Sequence, residues 1–259
     1  MTTREWDAAT YDRISAPQLR WGLAVLERLA LAGDERVLDA GCGSGRVTER
    51  LLERLPRGTV VALDGSEAML QEAARRLAPH LSRVELVHAD LGRPLPAMAP
   101  VDAILSTAVF HWVPDHDALL RHLAAVMRPG GRLVAQCGGA GNVASVLRAA
   151  CEAGEGWEGP QHFATAGATR RRLEVAGFVE VETWLHEEPT AFEAGEQLTT
   201  FLRTVILGAH LERMPPERHD AFVQAVAARL GPHPVVDYVR LNILATRGSP
   251  GRRAESAEP

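Results

Sequence analysis

The spacing of apolar and polar positions along the chain changes period several times, and each change marks an element. Between Ala16 and Leu31, Leu19, Leu23, Leu26 and the pair Leu29-Ala30 recur three or four positions apart, with Pro17 near the start and Gly33 just past the end. Residues three and four apart share a helix face, so this spacing predicts an amphipathic helix. Short β-branched runs then alternate with helical patterns. Strands are expected at Arg36 to Ala40, Thr59 to Asp64, Val84 to Asp90, Val101 to Ala108 and Arg132 to Gln136, with helices at Arg46 to Leu55, Glu67 to Ala78 and Ala118 to Met127. Parallel strands need crossover connections, so the alternation predicts an α/β fold: a doubly wound parallel sheet with helices on both faces.

After Gly138 the rhythm changes. Helical patterns at Val143 to Ala153 and Thr169 to Ala176 precede Val179 to Leu185, where apolar and polar residues alternate as in a strand with one buried face. Glu193 to Leu230 predicts two helices broken at Pro215-Pro216, and Tyr238 to Thr246 a last strand. The expected organisation is a leading lid or helix segment (1–33), an α/β core (34–192), a helical insert on the substrate side (193–234), a last core strand (235–247) and a tail (248–259). The tail, rich in Gly, Pro, Ser and charge, cannot bury enough apolar surface to order itself and is expected to be disordered.

Composition narrows the function. With 259 residues, 46% hydrophobic and 24% charged, the chain has the make-up of a globular protein and no stretch of the ~20 apolar residues that a membrane span needs. The start, Met1 to Asp7, is polar and acidic where a secretory signal would be basic and then apolar, which points to the cytoplasm. Cys42, Cys137 and Cys151 form no C-x-x-C pair, and His162, His186, His210 and His219 lack H-E-x-x-H spacing, so no metal is expected. A net charge of -5 argues against nucleic acid, and Arg170-Arg171-Arg172 reads as a solvated helix face. The pattern leaves monomer and homodimer equally open.

The most informative stretch is Val37-Leu38-Asp39-Ala40-Gly41-Cys42-Gly43-Ser44-Gly45, an apolar strand that runs into three alternate glycines and then a helix. Glycine is needed where a chain turns with positive φ or where a ligand lies against the backbone. A dinucleotide fingerprint, G-x-G-x-x-G, would place its third glycine where Arg46 stands, which counts against a nicotinamide-dependent reductase. Asp64 and Asp90 end the next two strands. One such Asp can simply cap the following helix; Asp39, Asp64 and Asp90 at successive strand ends are better read together, as groups around one ligand.

The D-x-G-x-G-x-G stretch resembles the first motif of class I S-adenosylmethionine-dependent methyltransferases. Val101 to Val113 is similar to that family's fourth strand and turn, and Met127-Arg128-Pro129-Gly130-Gly131-Arg132-Leu133 to its turn into strand five. The resemblance implies a Rossmann-like methyltransferase fold, a seven-stranded, mostly parallel sheet with one antiparallel strand. It implies S-adenosyl-L-methionine as cofactor, with Asp39 helping to hold its ammonium group, Asp64 its ribose hydroxyls and Asp90 its adenine amino group, while Leu91 packs by the ring. Gly41, Cys42, Gly43, Gly45, Gly65, Met69, Ala89 and Thr107 are placed around the cofactor by the same likeness. Within the family, Phe110-His111-Trp112-Val113-Pro114-Asp115-His116 and the Trp6 to Tyr11 segment are most similar to the trans-aconitate methyltransferase group, whose members esterify a carboxylate. A non-catalytic S-adenosylmethionine-binding module would keep the same pocket.

The implied chemistry is methyl transfer to a small molecule, at a carboxylate or hydroxyl oxygen. An ionised carboxylate needs no base; a hydroxyl benefits from one, and His111 after the fourth strand is the candidate, although a buried histidine there is more often packed beside the cofactor as a satisfied polar residue. Tyr11 is expected to fold over the glycine loop as a lid. Phe110 and Trp112 are placed on the substrate side, as is Arg203, which with Arg213 could pair with a substrate carboxylate.

Overall fold

The computed structural model describes residues 16–154 and 156–249. Five parallel strands come first in the sheet: β1 (Arg36–Ala40), β2 (Thr59–Asp64), β3 (Val84–His88), β4 (Val101–Thr107) and β5 (Met127–Gly138). With β6 (Phe178–Glu187) and β9 (Val239–Arg247) they form one seven-stranded sheet in the order β3-β2-β1-β4-β5-β9-β6. β9 runs antiparallel to both its neighbours and is the one reversed strand. This is the mixed α/β sheet that the resemblance implied.

Alternation along the strands divides the core into two layers, as a pleat with period two requires. Val37, Val60, Ala62, Ala103 and Leu105 face one layer with α1 (Ala16–Glu27), α2 (Arg46–Glu53) and α3 (Glu67–Arg76). Leu38, Val61, Leu63, Ile104 and Leu133 face the other, with α4 (His116–Val126) and α6 (Ala166–Val175). α2, α3, α4 and α6 each lie on the path between two parallel strands and so must return across a face of the sheet.

Three expectations are corrected here. The first helix stops at Glu27 rather than Leu31, and its buried face is Trp21, Val25 and Leu26, while Leu19 and Leu23 are only half-buried. The cause is Gly22, where a Cβ would lie 2.7 Å from Val47 Cγ2, so the helix turns its small side toward α2. β5 starts at Met127, before the Pro129-Gly130-Gly131 turn, because Met127 pairs with Val101 and a register shift separates that pair from Ala103 and Arg132. Gly248, assigned to the tail, is buried and donates its N–H to Gly177 O at 3.0 Å; residues 250–259 lie outside the described part.

Between β6 and β9 the chain adds a third apolar cluster. α5 (Ala144–Ala153) leads into it from the core side, and α7 (Glu196–Phe201), a π-helical turn at Leu202–Ile206, α8 (Gly208–Leu211) and α9 (His219–Arg229) complete it. Val146, Phe201, Leu202, Phe222 and Val226 pack there with Trp21 of α1. Two short strands, β7 (Thr190–Ala191) and β8 (Val235–Val236), pair antiparallel and tie together the two ends of the helical segment. Among the described residues no helix is long and apolar enough to cross a membrane, and no three His, Cys, Asp or Glu are grouped to hold a metal.

Candidate active site

The strand order reverses between β1 and β4, and a crevice opens at the carboxyl ends of the strands there, as in open α/β sheets generally. It has a volume of about 1100 Å³. Gly41, Gly43 and Gly45 turn the chain out of β1 with φ of 87°, 54° and 81°. At Gly41 a Cβ would come within 2.2 Å of Val109 Cγ2, so only glycine lets the loop pass beside the β4 turn. At Gly43 a Cβ would meet nothing within 4 Å and would stand in the cleft. Gly45 does not line the cleft, a correction to its expected role: its Cα faces Ala73 and Leu77, 3.3 Å from a would-be Cβ, and it seats α2 against α3.

The loop's N–H groups are used internally. Gly41 and Cys42 both donate to Leu63 O, at 2.8 and 2.9 Å, and Gly43 donates to Asp64 Oδ2 at 2.8 Å. Three donors that a pyrophosphate would need are therefore spent, which sets this loop apart from a dinucleotide cradle. Asp64 also accepts from Ser66 N at 2.9 Å and so couples the glycine loop to the start of α3. Asp90 accepts from Gly92 N at 2.8 Å. Both carboxylates line the cleft, as do Gly41, Cys42, Gly65, Met69, Ala89, Leu91 and Thr107. Burial holds the Cys42 thiol well above its usual pKa.

Asp39 lies behind the loop, 1% exposed, and does not line the cleft. Burial pushes its pKa up to about 7, against a hydrogen bond from Thr48 Oγ1 and with a further push from the negative charge of Asp64. That bond is 2.7 Å long and anchors the loop to α2.

Beyond β4 the chain makes a tight turn in which Ala108 adopts φ 61°, a strained conformation for a residue with a side chain. Phe110–Trp112 form one 3₁₀ turn, with about three residues per revolution, so successive side chains point in three directions. Trp112 reaches the cleft. Phe110 does not: it is buried with Leu119, Leu120 and Leu241, and its substrate-side placement is corrected to a core one. His111 is corrected too. It is buried outside the cleft lining, and its Nδ1 accepts the Gly138 N–H at 3.2 Å. In a neutral imidazole the proton then sits on Nε2, leaving no lone pair there to act as a base. Burial, with Arg240 and His116 nearby, keeps its pKa well below the usual histidine value.

Of the remaining wall only Arg213 was expected from the sequence. Gln18 and Leu19 of α1, the segment Trp157, Gly159, Pro160 and His162, and Ala209, Glu212 and Arg213 around α8 all face the cleft. No local pattern marks them, because they meet only through the helical segment's fold. Arg203 sits elsewhere, in the π-helical turn, paired with Asp220, so its substrate-side role is withdrawn. Tyr11 lies outside the described residues.

The strand order, with one reversed strand between β5 and β6, and the strand-tip carboxylates around the glycine loop together define a class, the S-adenosylmethionine-dependent methyltransferases. The cleft fits that cofactor: carboxylates from two strand tips face it, and the bare Gly43 leaves room against the backbone. Residues 37–131 match the methyltransferase domain family. The trans-aconitate 2-methyltransferase of Methylobacterium nodulans is 36% identical over 181 residues, covering 70% of this chain and 67% of that protein. The same enzyme from Methylobacterium radiotolerans is 30% identical over 233 residues, covering 85% and 87%. Among solved structures, Haemonchus contortus phosphoethanolamine N-methyltransferase 2 in complex with S-adenosyl-L-methionine shares the fold, with a TM-score of 0.63 at 16% identity over 93% of this chain and 57% of that one. The chain belongs to the class I S-adenosylmethionine-dependent methyltransferases, close to the trans-aconitate 2-methyltransferase group, and is an enzyme that uses S-adenosylmethionine.

Proposed function

We propose that the enzyme methylates a carboxylate oxygen of a small organic acid in the cytoplasm, with no nucleic-acid partner. The observation that carries this is Arg213, a guanidinium on the cleft wall with no carboxylate among the described residues within ion-pair distance. The engaged Nδ1 of His111 supports it from the other side, since an ionised carboxylate is an acceptor that needs no base. The relatives' names point the same way.

In this reading residues 34–192 hold the cofactor and 193–234 contribute the acceptor wall. Asp64 takes the ribose hydroxyls, Asp90 the adenine amino group, and Met69 and Leu91 the faces of the base, while Asp39 acts on the ammonium group from behind the loop. Bound S-adenosylmethionine supplies an electrophilic sulfonium methyl, and its transfer to an ionised carboxylate oxygen leaves a neutral thioether with no proton to remove. The chain's part is to hold the acceptor in line and exclude water, and such positioning alone can supply on the order of 7 to 11 kcal/mol.

Labelled S-adenosylmethionine offered with a panel of carboxylic acids, phenols and amines tests the reading. Label should enter a base-labile methyl ester, and His111→Asn, whose amide oxygen can take over from Nδ1, should keep turnover within a few-fold. Label in phenols or amines alone, or loss of turnover in His111→Asn with cofactor binding intact, contradicts it.

A further inference from the structure

Trp157 stands on the cleft wall between two glycines with positive φ, Gly156 at 79° and Gly159 at 99°. Two residues from one turn of chain around α8 meet its indole. The Arg213 Cζ lies 4.4 Å from the ring centroid, and the centroid of the His210 ring lies 4.8 Å from it. Arg213 N donates to His210 O at 3.2 Å, a turn in which side chains three positions apart leave on the same side. His210 also holds the Trp157 backbone. Its Nε2 is 3.2 Å from the Trp157 carbonyl oxygen, and because a carbonyl only accepts, Nε2 carries the proton. His210 is itself fixed: it is 4% exposed and stacks on Phe222 of the third apolar cluster, centroid to centroid 6.0 Å. A Cβ at Gly159 would lie 3.2 Å from His210 Cε1, so glycine lets the two segments approach. The indole is thereby tied to a buried histidine.

Arg213, in contrast, is exposed. An exposed arginine samples many rotamers, and the entropy lost in ordering it weakens any contact its guanidinium makes. Laid on an aromatic face, the guanidinium keeps its N–H groups directed outward in its own plane, where a ligand can take them. A stack on a fixed ring therefore orders the group before the acceptor arrives. It draws on the π face and not on the indole N–H.

We propose that Trp157 is a positioning residue, which holds the guanidinium of Arg213 ordered in the cleft for the carboxylate that is methylated. The proposal rests on the carboxylate O-methylation proposed above. It is tested with the full chain at saturating S-adenosylmethionine. The acceptor is the panel acid with the lowest KM in wild type, trans-aconitate being the first probe. Trp157→Leu should raise that KM about two- to fivefold, the worth of an exposed cation–π contact. Its kcat should change less, since ordering Arg213 strengthens ground-state and transition-state binding alike. Trp157→Phe, which keeps a π face, should recover most of the loss. In an Arg213→Gln background, whose own KM is raised, Trp157→Leu should add nothing, as expected of two residues that act as a unit. Affinity for S-adenosylhomocysteine should stay as in wild type in all of these variants. A full further rise in the Arg213→Gln background would mean that the indole touches the acceptor itself. An unchanged KM in Trp157→Leu or in Arg213→Gln would mean that the stack orders nothing the acceptor uses, and a loss shared by kcat and cofactor affinity would mean a merely structural role. Each of these overturns the positioning role while leaving O-methylation intact. A wild type that methylates no carboxylic acid fails the underlying reading, and the positioning role with it.

Discussion

A methyl group added at Gly43 and one added at Gly45 would meet different surroundings, although the two positions look alike in the sequence. Both have positive φ, so alanine at either strains the backbone by about 1 to 2 kcal/mol. At Gly43 the new methyl stands in the cleft and touches no protein atom; at Gly45 it presses on Ala73 and Leu77. Gly43→Ala should therefore weaken S-adenosylhomocysteine binding with little loss of stability beyond the strain. Gly45→Ala should cost about 1 to 3 kcal/mol more in urea unfolding and leave the affinity of the folded protein nearly unchanged. Asp64 could be located in the sequence because it closes the apolar run Val60 to Leu63, whereas the strand expected to reach Asp90 stops at His88. The sequence could not rank Phe110, His111 and Trp112, since a single 3₁₀ turn sends three adjacent side chains to the core, to β5 and to the cleft.

At the level of elements, the turn after β4 shows what a core placement implies. Phe110 is 3% exposed and fills space beneath α4 beside Leu119 and Leu120. Phe110→Ala should destabilise the protein by about 3 to 5 kcal/mol, read as a lower urea midpoint, while KM for the acceptor in the folded fraction stays close to wild type. A large KM effect without loss of stability would return Phe110 to the substrate side. Strands β1 and β2 were legible to the residue because each is a short, mostly apolar run buried on both faces that glycine or aspartate stops. The segment 193–230 was legible only as helical. Its π-helical turn at Leu202–Ile206 breaks the 3.6-residue period, and β7 and β8, two residues each, are too short to show alternation.

Across the whole molecule, the cofactor half of the cleft comes from consecutive strand tips and so can be read along the chain. The acceptor wall brings Trp157 to Arg213 through packing of the third apolar cluster, a contact that no periodicity encodes. Buried charge has a consequence at this scale as well. Folded Asp39 holds its proton up to about 7, while the unfolded chain releases it near 3.8. The folded state binds more protons between those values, so this group's contribution to stability is full below that window and is lost as pH rises through it. The urea midpoint of the unliganded wild type, taken relative to that of Asp39→Asn, should fall between about pH 4 and 7. A difference between the two proteins that does not fall over this range would mean Asp39 is ionised in the folded state.

The most direct measurement is calorimetric titration of the purified chain with S-adenosylhomocysteine, beside Asp64→Ala. The account predicts one site per chain in wild type and an affinity lowered at least about tenfold in the variant, as befits lost hydrogen bonds to a carboxylate. No binding heat in a folded wild type, or equal affinity in the two proteins, would contradict it.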